Sequence, residues 1–141
     1  MTNRKIKWAM FVITAIGNFI AMLDSTTVNL ALYPMSVDLH VTMSQIQWVM
    51  IAYMLILTVF LPFFGKLGDI FPKNKLYATG FGIFAIGAFL SMISPTFILL
   101  VASRCLEALG ASIMLSNAQA IIASIFKKER RGKALGLNGC I

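Results

Sequence analysis

The stretch IQWVMIAYMLILTVFLPFF, residues 46–64, carries no charged side chain. Coiled as a helix it spans about 30 Å, the thickness of a bilayer's hydrocarbon core. Moving outward, residues 65–75 hold Gly65, Lys66, Gly68, Asp69, Lys73 and Lys75 and read as a turn. On the other side, residues 33–45 read as a polar loop with Pro34, Asp38 and Ser44, and Ser44 suits the N-cap of the run that follows. Beyond these connections lie three more apolar runs, over residues 8–32, 76–93 and 97–126. Ser94-Pro95-Thr96 separates the last two, because proline disfavours helix at the residue before it. Residues 127–133 form a basic linker, and a fifth run starts at Ala134 but is too short to cross by Ile141. The pattern predicts four membrane-spanning helices.

Composition agrees. The 141 residues are 59% hydrophobic and 12% charged, with a mean hydropathy of +0.85. A soluble domain is about half apolar and about a quarter charged. The net charge of +7 sits in short clusters between apolar runs rather than on one solvated face, which argues against nucleic acid as partner. Cys105 and Cys140 form neither a disulfide framework nor a metal site. His40, the single histidine, lacks the partners a metal needs and reads as structural or solvent-facing. The first run is too long for the apolar core of a signal peptide and no small-residue cleavage site follows it.

The basic residues also orient the chain. With four crossings, Arg4, Lys5, Lys7, Lys66, Lys73, Lys75, Lys127, Lys128, Arg130, Arg131 and Lys133 all fall on one side, eleven of the 12 lysines and arginines. The other side has none. Removing any one span would scramble this sorting. Both ends of the chain are therefore expected on the cytoplasmic side.

Three ionisable residues fall inside the spans: Asp24 in the first, Arg104 and Glu107 in the fourth. A charge at the bilayer centre costs roughly 2.5–3.5 kcal/mol on the insertion scale, and such residues mark functional paths by default. The alternative is polar glue between helices. Arg104 and Glu107, three apart, share a helix face and can pair. Asp24 has no partner on its own helix; it is protonated, reaches Arg104 across an interface, or faces water. Hydrocarbon favours the neutral form of a carboxyl and a guanidinium favours the charged form. A carboxyl between the two can bind and release a proton, the physical basis of a proton-coupled carrier. Asn18, Thr26, Thr27 and Asn29 accompany Asp24; Asn117 and Gln119 accompany the pair; these line an aqueous path or hydrogen-bond helices together. Gly80, Gly82, Gly87 and Ala88 in the third span, with Ala108, Gly110, Ala111 and Ser112 in the fourth, favour close helix packing.

Three stretches resemble motifs of the major facilitator superfamily, in particular its fourteen-span drug:proton antiporters. Leu23-Asp24-Ser25-Thr26-Thr27-Val28-Asn29-Leu30-Ala31-Leu32 resembles the first-helix motif L-D-x-T-v-V-N-v-A-L-P, with Tyr33 where the proline falls and Pro34 one place later. Gly65-Lys66-Leu67-Gly68-Asp69-Ile70-Phe71-Pro72-Lys73 resembles the loop G-x-L-a-D-r-x-G-r, with Ile70 for arginine and Pro72 for the second glycine. Arg104-Cys105-Leu106-Glu107-Ala108-Leu109-Gly110-Ala111-Ser112 resembles the fourth-helix motif R-x-x-q-G-x-g-a-a, with Glu107 for glutamine and Ala108 for glycine. Residues 47–55, QWVMIAYML, also look like the family's second helix.

The resemblance implies an all-α integral membrane fold: the first four helices of an N-terminal bundle, the fifth cut off, with all of residues 1–141 in one domain. It implies proton-coupled efflux of drugs or other small, even cationic, molecules. Asp24, Asn29, Arg104 and Glu107 would serve proton coupling and the substrate path. Gly65, Asp69 and Lys73 would form a conformational latch whose aspartate meets a helix N-terminus in the other half of the molecule. The expected partners are the lipid bilayer of the cell membrane, a small-molecule substrate and the C-terminal helices of a longer parent. No phosphate-binding loop is present, so the proton gradient, not ATP or a cofactor, is the expected energy source. No enzyme chemistry is expected. A carrier for another solute and a truncated, non-transporting membrane protein stay open as alternatives, since fold alone does not choose a substrate.

Overall fold

The computed structural model describes residues 2–125, with side chains from 10 to 118, 120 and 121. Four helices follow in order: α1 (Thr2–Asp38), α2 (Met43–Ile70), α3 (Lys73–Met92) and α4 (Phe97–Ile125). All four contain stretches long and apolar enough to cross a membrane. The described residues contain no strand. The fold is the all-α membrane bundle that the apolar runs predict. The basic linker 127–133, Cys140 and the start of a fifth run at Ala134 lie outside the described residues.

The helices α1 and α2 overrun their apolar runs at both ends, and α3 starts three residues before its run. α1 continues through Pro34 to Asp38, so the expected loop 33–45 shrinks to a short turn. The helix stops where His40 takes a left-handed φ of 50°. Val41 N donates to Ser36 O at 3.0 Å and His40 N to Val37 O at 3.2 Å, the paired bonds of a Schellman end. His40 thus terminates a helix, and among the described residues no cluster could hold a metal ion.

The N-cap of α2 is Thr42, not Ser44. Thr42 Oγ1 accepts from Gln45 N, and Gln45 Oε1 accepts from Thr42 N at 2.9 Å. The reciprocal box joins Thr42 to Gln45, three residues on, and Ser44 lies inside the helix that it starts. The far end of α2 absorbs most of the expected 65–75 turn. The helix persists to Ile70 and breaks only at Phe71-Pro72, before Lys73 opens α3. Proline favours the break, because it pushes Phe71 before it to the extended conformation seen there, φ −102° and ψ 156°. The third connection falls where expected, with Thr96 O accepting from Leu100 N at 3.0 Å to start α4.

The bundle runs up and down. Gly17 of α1, Gly68 of α2, Tyr77 of α3 and Asn117 of α4 meet at one end. Val28, Ile46, Val49 and Leu100 cluster at the other. The starts of α1 and α3 and the end of α2, with their lysines and arginines, therefore share one end, as the charge sorting requires. The helix α4 is central: 56% of its apolar window is buried inside the protein, against 11% for α2. The outer faces carry exposed Leu30, Met92 and Ile98, a surface suited to lipid and not to water. The helices α3 and α4 touch through backbone: Gly80 lies against Gly110 and Ile113, and Gly87 against Glu107. A side chain at any of these glycines would push the helices apart. Gly82, expected in the same packing, faces open space.

Candidate functional site: a buried charge cluster

The central position of α4 puts Arg104 and Glu107 in the middle of the bundle, where their side chains are 1% and 0% exposed. The approach of Gly87 seals Glu107 from the α3 side. From α1, Asp24 reaches in and remains 23% exposed. Arg104 Nη1 donates to Asp24 Oδ2 at 2.8 Å and to Glu107 Oε2 at 2.6 Å. Of the three fates open to Asp24 in the sequence, the structure shows the second: an ion pair across a helix interface. From α2, the Tyr53 ring lies under the guanidinium, 4.6 Å from its centroid to Cζ. Such cation–π contact, desolvated, is worth about 2 kcal/mol.

Chemically, the cluster sets two carboxyl groups against one guanidinium. With all three ionised, one negative charge is in excess, and one proton makes the group neutral. Removing a single partner from a buried pair costs roughly 3–5 kcal/mol, because it strands the charge left behind.

The structure does not bring every expected path residue to this cluster. Asn29 is exposed on α1. Five residues beyond Asp24, it has turned to another side of a helix that repeats every 3.6 residues. Thr26 and Thr27 are exposed, and their hydroxyls donate back to Met22 O and Leu23 O. Asn117 is buried further along α4, where Nδ2 donates to Ile113 O at 2.8 Å and Oδ1 faces Gly68. Tyr53 is the residue whose role a reading of the chain alone misses. Its only signal was a polar-tipped aromatic inside an otherwise apolar span.

The residues expected to form a latch lie apart, at the end of the bundle. Asp69 is 76% exposed and sits 3.9 Å from Lys73 Nζ. An exposed pair of this kind contributes about 0–1 kcal/mol, so Asp69 is easily released to another contact. Gly65 has open space around it. Asp69 lies in the last turn of α2 and Lys73 begins α3, so the Phe71-Pro72 break sets their distance.

The sequence model of the Major Facilitator Superfamily matches residues 14–141. The chain belongs to the major facilitator superfamily. Among curated relatives of this superfamily member, the riboflavin transporter RibZ of Clostridioides difficile is 42% identical over 97% of the chain. The uncharacterized MFS-type transporter YvkA of Bacillus subtilis is 32% identical over 99% of it. The lincomycin resistance protein LmrB of Bacillus subtilis is 30% identical over 89%. The chain spans 30%, 31% and 26% of their respective lengths. No solved structure matches. The superfamily is one of multi-pass membrane transporters, not of enzymes.

Proposed function

We propose that this superfamily chain supplies the opening helices of a proton-coupled transporter of small organic molecules in the cell membrane. In this reading its N-terminus is cytoplasmic. The observation that carries it is Arg104 held between Asp24 and Glu107. A fixed structural pair would need one carboxylate; the second gives the cluster a proton-binding capacity. Asp24, the partly open member, takes the proton. Asp69 and Lys73, with Gly65 leaving room beside them, act as the cytoplasmic latch. The activity belongs to a longer protein whose further helices complete the path.

Export of drugs along the fourteen-span antiporter pattern is the first substrate reading. It is supported by the Asp24 to Asn29 motif and by likeness to a lincomycin resistance protein. The higher identity to a riboflavin transporter favours a second: passage of a flavin-like planar solute. The longest in-frame protein containing this sequence, reconstituted in proteoliposomes, tests both. An imposed pH gradient should drive movement of a cationic dye or of riboflavin, and Asp24→Asn should uncouple it. Gradient-driven flux with unchanged pH dependence in Asp24→Asn would sink the proton role; a substrate panel separates the two solutes.

A further inference from the structure

Arg104 uses only part of its bonding capacity. A single nitrogen, Nη1, serves both carboxylates. Arg104 Nε, Arg104 Nη2 and Glu107 Oε1 are buried and have no hydrogen-bond partner. A guanidinium is shaped for two parallel bonds to one carboxylate, and a buried polar atom left unbonded carries a desolvation penalty. The unbonded atoms are those that a two-bond fork between Arg104 and Glu107 would use. In the structure Nη1 gives its N–H groups to the two carboxylates, and no fork is formed.

The two carboxylates differ in access. Asp24 has an open side, and Glu107 has none. A proton arriving from outside the bundle therefore meets Asp24 first. The groups facing Arg104 are Asp24 from α1, the Tyr53 ring from α2 and Glu107 from α4; α3 brings Gly87 against Glu107 and no charge.

We propose that Glu107 is the positioning residue that retains Arg104 when Asp24 is protonated. The proton adds to the Asp24 carboxylate. The Nη1–H to Oδ2 bond breaks. The guanidinium turns to a two-bond fork on Glu107, engaging Oε1 through a nitrogen that is now unbonded. Charge balance inside α4 is kept, and α1 is released from α4 at this level. At the other end α1 stays tethered, where Tyr77 Oη lies 3.4 Å from Thr14 O. The step rests on the proton-coupled reading and adds to it where Arg104 goes.

The test uses the full-length protein, purified, as wild type, Asp24→Asn, Glu107→Gln and Glu107→Asp. Infrared difference spectra between neutral and acid pH report the carboxylic acid that forms. Spin labels at exposed Leu30 and Ile98 report the α1–α4 distance. The acid band should vanish in Asp24→Asn. In Glu107→Gln it should persist but appear about one pH unit more acidic, or beyond, a tenfold loss of proton affinity, because Arg104 then has no second anion. Glu107→Asp should keep the wild-type midpoint, which separates charge from folding defects. The label distance should lengthen on acidification in wild type and Glu107→Asp. A midpoint unchanged in Glu107→Gln, a band that survives Asp24→Asn, or a distance insensitive to pH would each overturn the proposal. Neither measurement needs transport, so a carrier that moves solute without protons would fail the functional reading while these results stand separately.

Discussion

Arg104 holds the bundle together electrostatically, and it does so from a position with almost no exposed surface. Replacing it with leucine leaves Asp24 and Glu107 without a counter-charge. The expected loss is roughly 3–5 kcal/mol of stability, seen as a large drop in the thermal midpoint of the detergent-purified protein. Tyr53→Leu, which keeps the volume apolar but removes the π face, should cost less, about 2 kcal/mol. Equal losses from the two changes would mean that Arg104 is held by packing and not by charge. The ionisable members of this cluster were legible in the sequence, because a charge inside an apolar span is conspicuous and a spacing of three places two residues on one helix face. Tyr53 was not, since a contact between helices has no fixed spacing along the chain. Asn29 belongs to the same first-helix motif as Asp24, and helical rotation turns it to a face outside the cluster.

At the C-terminal ends of α1 and α2 a local rule overrides the hydropathy pattern. Hydropathy marks where hydrocarbon stops, while backbone hydrogen bonding continues for another turn or more. That is why Pro34 and the stretch from Gly65 to Ile70 read as loop yet lie in helix. The caps make two predictions. His40→Gly relieves a left-handed residue and should stabilise the protein by about 1 kcal/mol. Thr42→Ala removes the box at the start of α2 and should destabilise by about 1 kcal/mol. Both are checked by the thermal midpoint, and a stabilising Thr42→Ala would contradict the cap. The small residues of α3 give a sharper contrast. Gly87→Leu should separate α3 from α4 and abolish a stable fold, whereas Gly82→Leu, facing open space, should change the stability by no more than about 0.5 kcal/mol. Sequence reading grouped these glycines together; only the rotation of α3 against α4 tells them apart.

At the scale of the whole molecule, four spans and the sorting of basic residues to one end were available from the sequence, because both follow from lipid and charge alone. The centrality of α4 was not, since its apolar content resembles that of its neighbours and only its contacts reveal it. Expressed by itself and reconstituted, the 141-residue chain should show no proton-driven flux of riboflavin or cationic dye. Measurable flux would mean that the four helices form a path without further partners. The cluster also bears on how the chain enters the membrane during synthesis. The α4 segment brings Arg104 and Glu107 to the insertion machinery together, which taken singly resist partition into lipid. By then α1 has already been made, and Asp24 is waiting on it. The helix made last among the four meets its missing counter-charge on the helix made first, so the order of translation becomes part of how these charges are sheltered from lipid.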